Sequence, residues 1–501
     1  MLAVILIIPF AAAGAALALR SSPTRLALLI GTAAAHAGLV AVCWVRPPAA
    51  SPHGWLALDP LGLLFLSLVS ALFLCAALYS IGYLGHAEER SNRVFVACLL
   101  GFLGAMSLVT ISQHLGLLWV AVEATTLASA PLIYFHRSQR SLEATWKYLL
   151  ICSVGIALAL LGTFFLAVAG SPERGGEPLP LVVGGLVSRA PLLQVSWLKG
   201  AFLFLLVGYG TKMGLAPLHT WLPDAHSEAP SPASALLSGA LLNCAFLGIL
   251  RGVQICEAAG EGPFARRLLV VFGLLSLAVA GAFMVGQADF KRMLAYSSVE
   301  HMGILALGVG LGGAAAYGAM LHAVNHSLTK AMLFFAAGNI VIAYRTKSAA
   351  EVRGVLRRLP VSGALLVGGF LAIIGSPPFG PFLSEFTILN EALAQGRFAL
   401  GAGYLALLAV AFLGMGAAVL PMAQGSDEDA GGGGRARHAG PGDDGAAPGA
   451  MRPAPAGRRE PWLLIAAPLA LFAAVLVLGV YVPAGLRAVL EQAARLVGGA
   501  P

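Results

Sequence analysis

Fourteen long apolar runs leave this sequence few ways to fold. Most have the roughly 20 residues that a helix needs to cross the hydrocarbon core of a bilayer. The runs lie at 2–19, 26–45, 61–84, 94–112, 114–135, 146–169, 197–218, 231–250, 266–286, 293–311, 314–342, 361–395, 401–422 and 461–482. Hydrophobic residues make up 58% of the chain and charged residues 11%, far from the balance of a soluble domain. We predict an all-α polytopic membrane protein with about 14 transmembrane helices, because lipid offers the backbone no hydrogen-bond partners.

The basic residues predict the orientation of these helices. The first run has the small residues of a signal peptide, but no Lys or Arg precedes its apolar core, so we predict a retained first helix. Placing the loop of Arg20 and Arg25 in the cytoplasm assigns 19 of the 31 Lys and Arg residues to cytoplasmic segments and 10 to the other side. The remaining two, Lys212 and Lys330, fall inside the membrane. The positive-inside rule then favours both termini on the non-cytoplasmic face of the inner membrane.

The segment 197–243 is an apolar helix interrupted by a charge and by helix breakers. Lys212 is followed by Gly214, Pro217 and Pro223 before the apolar pattern resumes. A lysine in hydrocarbon is costly and marks a functional site. Broken backbone at membrane depth is tolerated only where protein or trapped water satisfies it, so we predict an internal polar cavity. The alternative is a lysine that extends from a helix end to the interface. Lys212 lies about 15 residues into the run, at roughly 1.5 Å rise each, which favours the cavity.

A second interrupted segment, residues 370–390, has the sequence FLAIIGSPPFGPFLSEFTILN and carries a lone acid, Glu385. The two interrupted segments are the seventh and twelfth runs, five helices apart. An odd offset reverses the direction across the membrane. A five-helix unit followed by its copy is therefore an inverted repeat, which transporters build around a site at the membrane midplane. We predict two inverted five-helix repeats with helices 7 and 12 broken.

This symmetry predicts the division of the chain into units. They are N-terminal helices 1 to 3 (1–93), a first repeat of helices 4 to 8 (94–255), a second repeat of helices 9 to 13 (256–422), a disordered cytoplasmic linker (423–460) and a C-terminal segment with helix 14 (461–501). The linker is rich in Gly, Pro and charged residues, which is typical of disorder, and we expect it to act only as a tether. The external connection at 171–196 is rich in Gly and Pro and can carry a short interfacial helix.

Two groups of ionisable residues lie inside these runs. Glu123 is the only charge in helix 5, so it must be neutral or have a cationic partner, and Lys212 is the obvious one. The alternative is a fixed ion pair that only sets packing. His322, His326 and Lys330 recur every four residues in LHAVNHSLTKAML and lie close to one helical face. Histidine changes protonation near neutral pH, so such a row suits proton hopping through a membrane interior.

We therefore predict a proton relay that combines these five residues with Glu385. The further candidates for the relay are Glu300, His301, Asn243, His219 and Asp224. Glu300 and His301 can equally be caps at the membrane interface. Asp224 lies in a cytoplasmic turn with His226 and Glu228, where these groups either collect protons or are solvated loop charges.

The sequence indicates no redox or nucleotide chemistry of its own. The six cysteines are scattered singly, without a CxxC pair, and no GxGxxG or Walker motif follows a strand pattern. The histidine pair in HAVNH lacks the glutamate of HExxH and has no evident third ligand, so we predict no metal. The net charge of +8 comes from short loops that form no basic face, which excludes nucleic acid as a partner. Any iron–sulfur cluster, nickel–iron centre, flavin or quinone must belong to partner subunits.

The run TKMGLAPLHTWLPDAHSEAPSPASALLSGALL, together with Glu123, resembles the antiporter-like subunits of respiratory complex I, Mrp-type sodium/proton antiporters and membrane-bound hydrogenases. YSSVEHMGI, LHAVNHSLTKAMLFFAAGNI and GSPPFGPFLSEFTIL are most similar to the hydrogenase-4 component F branch. The resemblance covers roughly helices 3 to 13. It implies a fourteen-helix fold with the inverted repeat described above.

The resemblance also implies roles for single residues. Glu123 matches the glutamate that tunes the broken-helix lysine, and Lys212 matches that lysine. Lys330, with the two histidines of its helix, matches the central relay, and Glu385 matches the charged position of the second broken helix. The chain departs at Asn243, where many relatives have a lysine or histidine. The link from Lys212 to the central relay must then use water or a histidine from elsewhere.

Three functions compete at this point. The first is a proton-translocating subunit of a redox-driven complex, without catalytic chemistry of its own and coupled to electron transfer in neighbouring subunits. The second is a subunit of a secondary Na⁺/H⁺ antiporter without a redox partner. The third is a membrane scaffold whose polar residues have no function. The full set of intramembrane charges argues against the scaffold, and the branch resemblance favours the redox-driven complex. The expected partners are other subunits, H⁺, with Na⁺ as the alternative ion, and the lipid bilayer.

Overall fold

The computed structural model describes residues 1–86, 92–171, 179–425 and 460–498. Within these ranges the regular elements are helices and no strand is present. Eleven of the helices are long and apolar enough to cross a membrane. Their residues form helices because lipid-facing backbone must satisfy its own hydrogen bonds. The prediction of an all-α polytopic membrane protein is confirmed.

Twenty α-helices follow one another along the described ranges. Helices α1 to α3 span Leu2–Ala18, Ser22–Val45 and Pro60–Leu84. Helices α4 to α11 span Arg93–Ile111, Leu115–Ile133, Gln139–Ala169, Val183–Ser188, Val195–Met213, Leu222–Glu228, Ser231–Leu236 and Leu242–Ala258. Helices α12 to α18 span Gly262–Met284, Phe290–Leu311, Gly313–Tyr344, Val355–Arg358, Pro360–Ile373, Gly380–Ala394 and Phe398–Gln424. Helices α19 and α20 span Trp462–Val480 and Ala484–Arg495.

Both predicted breaks are present. Helix α8 ends at Met213 and is followed by Gly214, whose φ of 86° is a left-handed conformation that favours glycine. The chain then turns before α9 begins at Leu222. Helix α16 ends at Ile373, and Gly375 with φ 70° leads into α17. Three pairs of helices each count as one pass: α8 with α9, α10 with α11, and α16 with α17. With the short helices α7, α15 and α20 left out, the described helices then make fourteen passes. The seventh predicted run was placed at 197–218, whereas the helix ends at Met213 and resumes as far as Glu228.

The connections agree with the predictions where they are described. The short interfacial helix expected within 171–196 is α7. The linker expected at 423–460 lies almost entirely outside the described residues, and its first two residues are corrected to the end of α18. At its far end, the Glu460 carboxylate accepts a hydrogen bond from the Val361 amide at 2.7 Å and so caps α16.

The middle of the molecule is its most buried part. The apolar stretch of Ser231–Ala258, which contains α10 and α11, is entirely buried, and that of α13 is 94% buried. Peripheral helices such as α18 bury only 33% of their apolar stretch and present apolar side chains outward, as lipid requires. Residues 237–241, between α10 and α11, form a π-helix, an irregularity often found at functional sites. The ionisable residues of the middle helices are therefore shielded from lipid.

A buried ion pair fastens α3 to α11 near one membrane surface. Asp59 caps α3 by accepting the Gly62 amide, and Arg251 on α11 donates to both carboxylate oxygens at 2.5 and 2.7 Å. Burial opposes the charge of Asp59, but the charge and hydrogen bonds of Arg251 outweigh it and lower the pKa of the carboxyl. The Arg251 side chain is fully buried, whereas that of Asp59 is 24% exposed.

We expect Asp59→Asn to destabilise the protein more than Arg251→Met. The first leaves a buried guanidinium without its anion, which costs roughly 3–5 kcal/mol, whereas the second leaves a carboxylate that still reaches solvent. The measurement is the apparent Tm of the purified protein in detergent. The control is Arg46→Met, which removes an exposed arginine and should leave the Tm unchanged. Equal Tm values for all four proteins would contradict a stabilising role for the pair.

Candidate functional site

Lys212 lies in the last turn of α8, directly before the first break. Its side chain is fully buried. The ammonium donates to the Tyr148 hydroxyl at 2.6 Å and to Thr126 Oγ1 at 2.9 Å, and it lies 4.3 Å from the centre of the Tyr148 ring. Hydroxyl and ring stabilise a cation that has lost its water. The polar groups that surround the ammonium therefore come from α5 and α6, and the predicted internal polar cavity stays a prediction.

Glu123 does not contact Lys212 directly. No ion pair within 4.0 Å joins them among the described residues, and Thr126 lies between them instead. The Thr126 hydroxyl donates to Glu123 Oε2 at 3.1 Å while it accepts from Lys212, and Ser153 donates to Glu123 Oε1 at 3.0 Å. A hydroxyl in this position can pass a proton between the two charged groups. Glu123, Thr126 and Lys212 therefore form a hydrogen-bonded chain rather than the fixed ion pair considered in the sequence analysis.

The predicted histidine row of α14 meets a third histidine on α13. His301 Nδ1 and His322 Nε2 are 2.8 Å apart, and the ring centres of His301 and His326 are separated by 5.2 Å. His322 Nδ1 continues to Ser384 Oγ at 2.9 Å. All three rings are buried. His301, His322 and His326 thus form one buried group, the central cluster. His301 is part of it rather than a cap at the membrane interface.

Lys330 lies on the same helix as these histidines and is fully buried. Its ammonium donates to the Leu294 carbonyl on α13 at 2.7 Å. Glu300, which is 6% exposed, is the acid whose charge acts on Lys330. The second half of the molecule thus repeats the arrangement of the first, with a buried lysine held by neutral oxygens and an acid nearby.

Glu385 is placed beside the histidines by the second break. Its carboxylate is buried, and Oε1 has no hydrogen-bond partner within the described part of the chain. The donor atoms of His301, His322 and Glu385 all lie within 4.8 Å of one another, a set that could hold a metal ion. Of the two histidines of HAVNH, only His322 belongs to this set, and the other two possible ligands come from other helices. The sequence could not reveal this set because the three residues come from α13, α14 and α17.

Asn243 connects the two halves without a charge. Its amide donates to Ser327 Oγ on α14 at 2.6 Å and to the Gly239 carbonyl at 2.9 Å. Gly239 lies in the π-helix between α10 and α11. Ser327 is the residue next to His326, so Asn243 reaches the edge of the central cluster.

The turn after the first break divides into a buried and a surface part. Asp224 pairs with Lys147 at 3.1 Å and with Arg292, and Glu228 pairs with Lys347 at 2.8 Å, so both acids belong to a surface ion-pair network. His226, between them in sequence, is fully buried. His219 is 6% exposed, and its Nδ1 has no partner in the ranges that the structure describes.

Lys291 is a buried lysine that was not among the predicted site residues. This lysine of α13 is 4% exposed and donates to the carbonyls of Ser227 at 3.2 Å and Ala229 at 2.6 Å, at the end of α9. Asp289, two residues before it, caps α13 and accepts from the Ser227 hydroxyl at 2.6 Å. A lysine in the first turn of a helix normally indicates a solvated loop end, so the pattern carried no signal of burial.

Known proteins match this chain over most of its length. The profile described as NADH:quinone oxidoreductase/Mrp antiporter, TM, matches residues 112–410. The hydrogenase-4 component F homolog of Methylacidiphilum infernorum is 40% identical over 74% of this chain and 79% of its own. Hydrogenase-4 component B of Escherichia coli is 28% identical over 72% of this chain, which spans only 54% of that protein.

The fold is also that of one chain in a solved membrane complex. A chain of the membrane-bound sulfane sulfur reductase, described as an archaeal respiratory membrane complex, superposes with a TM-score of 0.84 at 20% identity, covering 99% of this chain and 98% of that one. The profile match, the 40% identity and the similarity of the fold all agree with the family resemblance of the sequence motifs. The chain therefore belongs to the family of antiporter-like transmembrane subunits shared by NADH:quinone oxidoreductases, Mrp antiporters and membrane-bound hydrogenases.

Proposed function

We propose that this chain translocates protons as one subunit of a redox-driven membrane complex. The observation that carries the proposal is a set of ionisable side chains in the middle of the molecule: two lysines, three histidines and Glu385 are buried there, and Glu123 is partly exposed. Burying such groups is costly, and a protein that only needed packing would fill the same space with apolar residues. The relay residues are Glu123, Lys212, Lys330, the three central histidines and Glu385.

In this proposal, Lys212 is the proton store of the first half. A buried ammonium keeps its proton only while oxygens and an anion compensate for lost water, and here Thr126, Tyr148 and Glu123 do so. Moving Glu123 away from Thr126 removes part of that compensation and favours release of the proton. Partner subunits that shift Glu123 during electron transfer would therefore drive the release.

The central histidines receive the proton in the second half. Each neutral ring can accept a proton on one nitrogen and release another from the opposite nitrogen. The His301–His322–Ser384 hydrogen bonds form such a path towards Glu385. Electron carriers such as iron–sulfur clusters, a nickel–iron centre, flavin or quinone would be held by partner subunits.

The proposed location is the inner membrane, with both termini on the non-cytoplasmic face. We expect a reporter fused after Arg358 to behave as cytoplasmic and one fused at Gly175 as external, because the basic loops favour the side of Arg358. Gly175 lies outside the described residues, and Arg358 ends α15 between the spans α14 and α16. Alkaline phosphatase and green fluorescent protein fusions measure the two sides. Both reporters on one side would refute the orientation and the fourteen-pass count.

The test of the function uses inverted membrane vesicles that contain the native complex. Proton uptake is followed by quenching of an acridine dye while NADH, hydrogen gas or an imposed sodium gradient is supplied in turn. Uptake driven by NADH or hydrogen supports the redox-driven subunit. Uptake driven only by sodium supports the alternative, a Na⁺/H⁺ antiporter subunit, which the family also contains. No uptake with any driver, in vesicles where the assembled complex is verified, would refute the proposal.

A further inference from the structure

Three side chains that can bind a metal ion meet beside the second break. His301 on α13, His322 on α14 and Glu385 on α17 each place one donor atom within 4.8 Å of the other two. Within the ranges that the structure describes, no other three histidine, cysteine or carboxylate side chains come together in this way. Two imidazoles and one carboxylate are a ligand set that proteins use for zinc, with water in the fourth position.

The distance between the two histidines fits a zinc ion after a small movement. His301 Nδ1 and His322 Nε2 are 2.8 Å apart and share one hydrogen. Tetrahedral zinc–nitrogen bonds of roughly 2.0–2.1 Å hold two ligand nitrogens roughly 3.3 Å apart, so the pair must open by roughly half an ångström. The shared hydrogen moves to the far nitrogen of its own ring. Both rings then bind zinc as neutral imidazoles.

Glu385 lacks a partner that a metal ion would supply. Its side chain is 6% exposed, and Oε1 accepts no hydrogen bond in the described part of the chain. The charge of Glu300 opposes that of Glu385. A buried carboxylate without a cation or a donor is costly, and buried polar atoms without partners need an explanation. A divalent cation between Glu385 and the two histidines satisfies the oxygen and offsets both negative charges.

Neighbouring groups fix the orientation of two of the ligands. His322 Nδ1 lies 2.9 Å from Ser384 Oγ, and metal-bound histidines usually form such a hydrogen bond through their other nitrogen. The Glu385 carboxylate packs against Gly375, where a Cβ atom would collide with Oε2. The glycine of the second break therefore leaves the room that the carboxylate needs beside the histidines.

A cavity at the surface of the helix bundle reaches Glu385. It lies between α17 and α18, has a volume of about 350 Å³ and is lined by Ser376, Glu385 and Tyr404 among apolar side chains. The Tyr404 hydroxyl is buried and has no hydrogen-bond partner among the described residues. The cavity is far larger than the roughly 30 Å³ that one water molecule occupies in the liquid. A hydrated ion can therefore approach the carboxylate from this side.

We propose that His301, His322 and Glu385 bind one zinc ion, which stops proton transfer through the central cluster. The inhibitory part of this inference rests on the function proposed above, whereas the binding part does not. Zinc occupies the facing lone pairs of the two histidines and so removes the hydrogen bond between them. Without that bond the path towards Ser384 and Glu385 is interrupted. Removal of the zinc by a chelator restores the bond, so the block is reversible.

The alternative is a cluster that binds protons only. Lys330 favours this alternative, because its charge acts on His301 and would repel a divalent cation. Glu300 offsets Lys330, since the charges of these two residues act on each other. Glu385 then remains as a negative charge without a cation of its own. The two hypotheses make opposite predictions for the zinc content of variants at the three ligands.

The first experiment measures zinc in the purified native complex, in detergent and without an electron donor. Wild type, Glu385→Gln and His322→Gln are dialysed against zinc chloride at a buffered free concentration, and the metal is counted by mass spectrometry. We expect the wild type to hold about one zinc ion more per chain than either variant. Loss of a ligand should weaken binding by at least the roughly 10–100-fold that loss of a ligand's hydrogen-bond partner costs at other metal sites.

The controls are two histidines outside the ligand set. His326→Gln removes the third ring of the central cluster and should keep the wild-type zinc content. His36 is another buried histidine, which bonds to Ser70 and Ser107 on α3 and α4, and His36→Gln should keep the wild-type zinc content as well. The amount of complex is measured first. The two different ligand variants guard against one that fails to assemble.

The second experiment measures proton uptake in the vesicles described above. Zinc chloride should lower uptake by roughly tenfold or more in the wild type and in His36→Gln, as for loss of a positioned proton-transfer group, and a chelator should restore it. Half of the inhibition should occur at the free zinc concentration that half fills the site in the purified complex. The X-ray absorption spectrum of the bound zinc should show nitrogen and oxygen neighbours at roughly 2.0–2.2 Å.

Three outcomes would overturn the inference. Equal zinc contents in wild type, Glu385→Gln and His322→Gln would exclude the site. Loss of the additional zinc in His326→Gln but in neither ligand variant would place it on other residues. Full uptake at a zinc concentration that fills the site would exclude the block. A wild type that takes up no protons even without zinc would instead refute the proposed function, while the zinc contents still decide whether the site exists.

Discussion

Replacing Lys212 with methionine should abolish most proton uptake while the complex still assembles. Methionine fills nearly the same volume but cannot hold a proton, so the Thr126 and Tyr148 hydroxyls lose their cation and Glu123 loses its partner charge. We expect a decrease of roughly tenfold or more, as for loss of other positioned proton-transfer groups. Glu123→Gln should give a similar decrease, because a neutral amide no longer compensates the ammonium through Thr126.

The matched control for this result is Lys199→Met. Lys199 lies on the same helix, but its side chain is 41% exposed and pairs with Glu261 at the surface. Its replacement should leave uptake unchanged. Uptake and electron transfer are measured side by side, after the amount of complex has been checked. A fully assembled Lys212→Met complex that pumps like the wild type would rule out the role assigned to Lys212.

Replacing Lys330 with methionine should be at least as damaging as Lys212→Met. Because Asn243 is not titratable, the first half has one proton-carrying side chain fewer than relatives with a basic residue at this position. The central cluster and Lys330 must then carry out more of the proton transfer. Lys330, like Lys212, was predicted inside the membrane, and it is fully buried and held by the Leu294 carbonyl. We expect a decrease in proton uptake of roughly tenfold or more, measured as for Lys212.

Asn243→Lys should also change proton uptake. A lysine at this buried position, 1% exposed, places a second cation beside Ser327, in the same buried interior as Lys212. The two cations repel each other in a poorly solvated interior, so proton uptake should change while the complex remains assembled. Asn243→Ala separates this charge effect from loss of the amide hydrogen bonds. Normal uptake in both Lys330→Met and Asn243→Lys would mean that the Lys330 face of α14 serves helix packing only.

The sequence was sufficient for the spans and for both broken helices. Apolar run length fixes the number of crossings, and Gly214 and Gly375 mark the breaks because both adopt positive φ. Periodicity also placed His322, His326 and Lys330 on one face, which the structure directs towards α13. These features are local, so the residues that encode them are neighbours in sequence.

Contacts between distant helices could not be predicted in the same way. Thr126 stands between Glu123 and Lys212 because of how α5 packs against α6 and α8, and a threonine in an apolar run carries no signal of that. His226 looked like a surface residue because its neighbours Asp224 and Glu228 are charged. Its burial depends on Trp221 and Phe334, and Phe334 is about a hundred residues away in sequence.

The hydrogen bonds at the end of α9 bear on how this chain could be divided. Lys291 and Lys347, both from the second half, satisfy the carbonyl groups of Ser227 and Ala229 in the first half. A first half produced as a separate polypeptide would therefore leave these carbonyls open and α9 unanchored, although every apolar span in it remained intact. Two fragments cut between α11 and α12 should reassemble only when they are co-expressed.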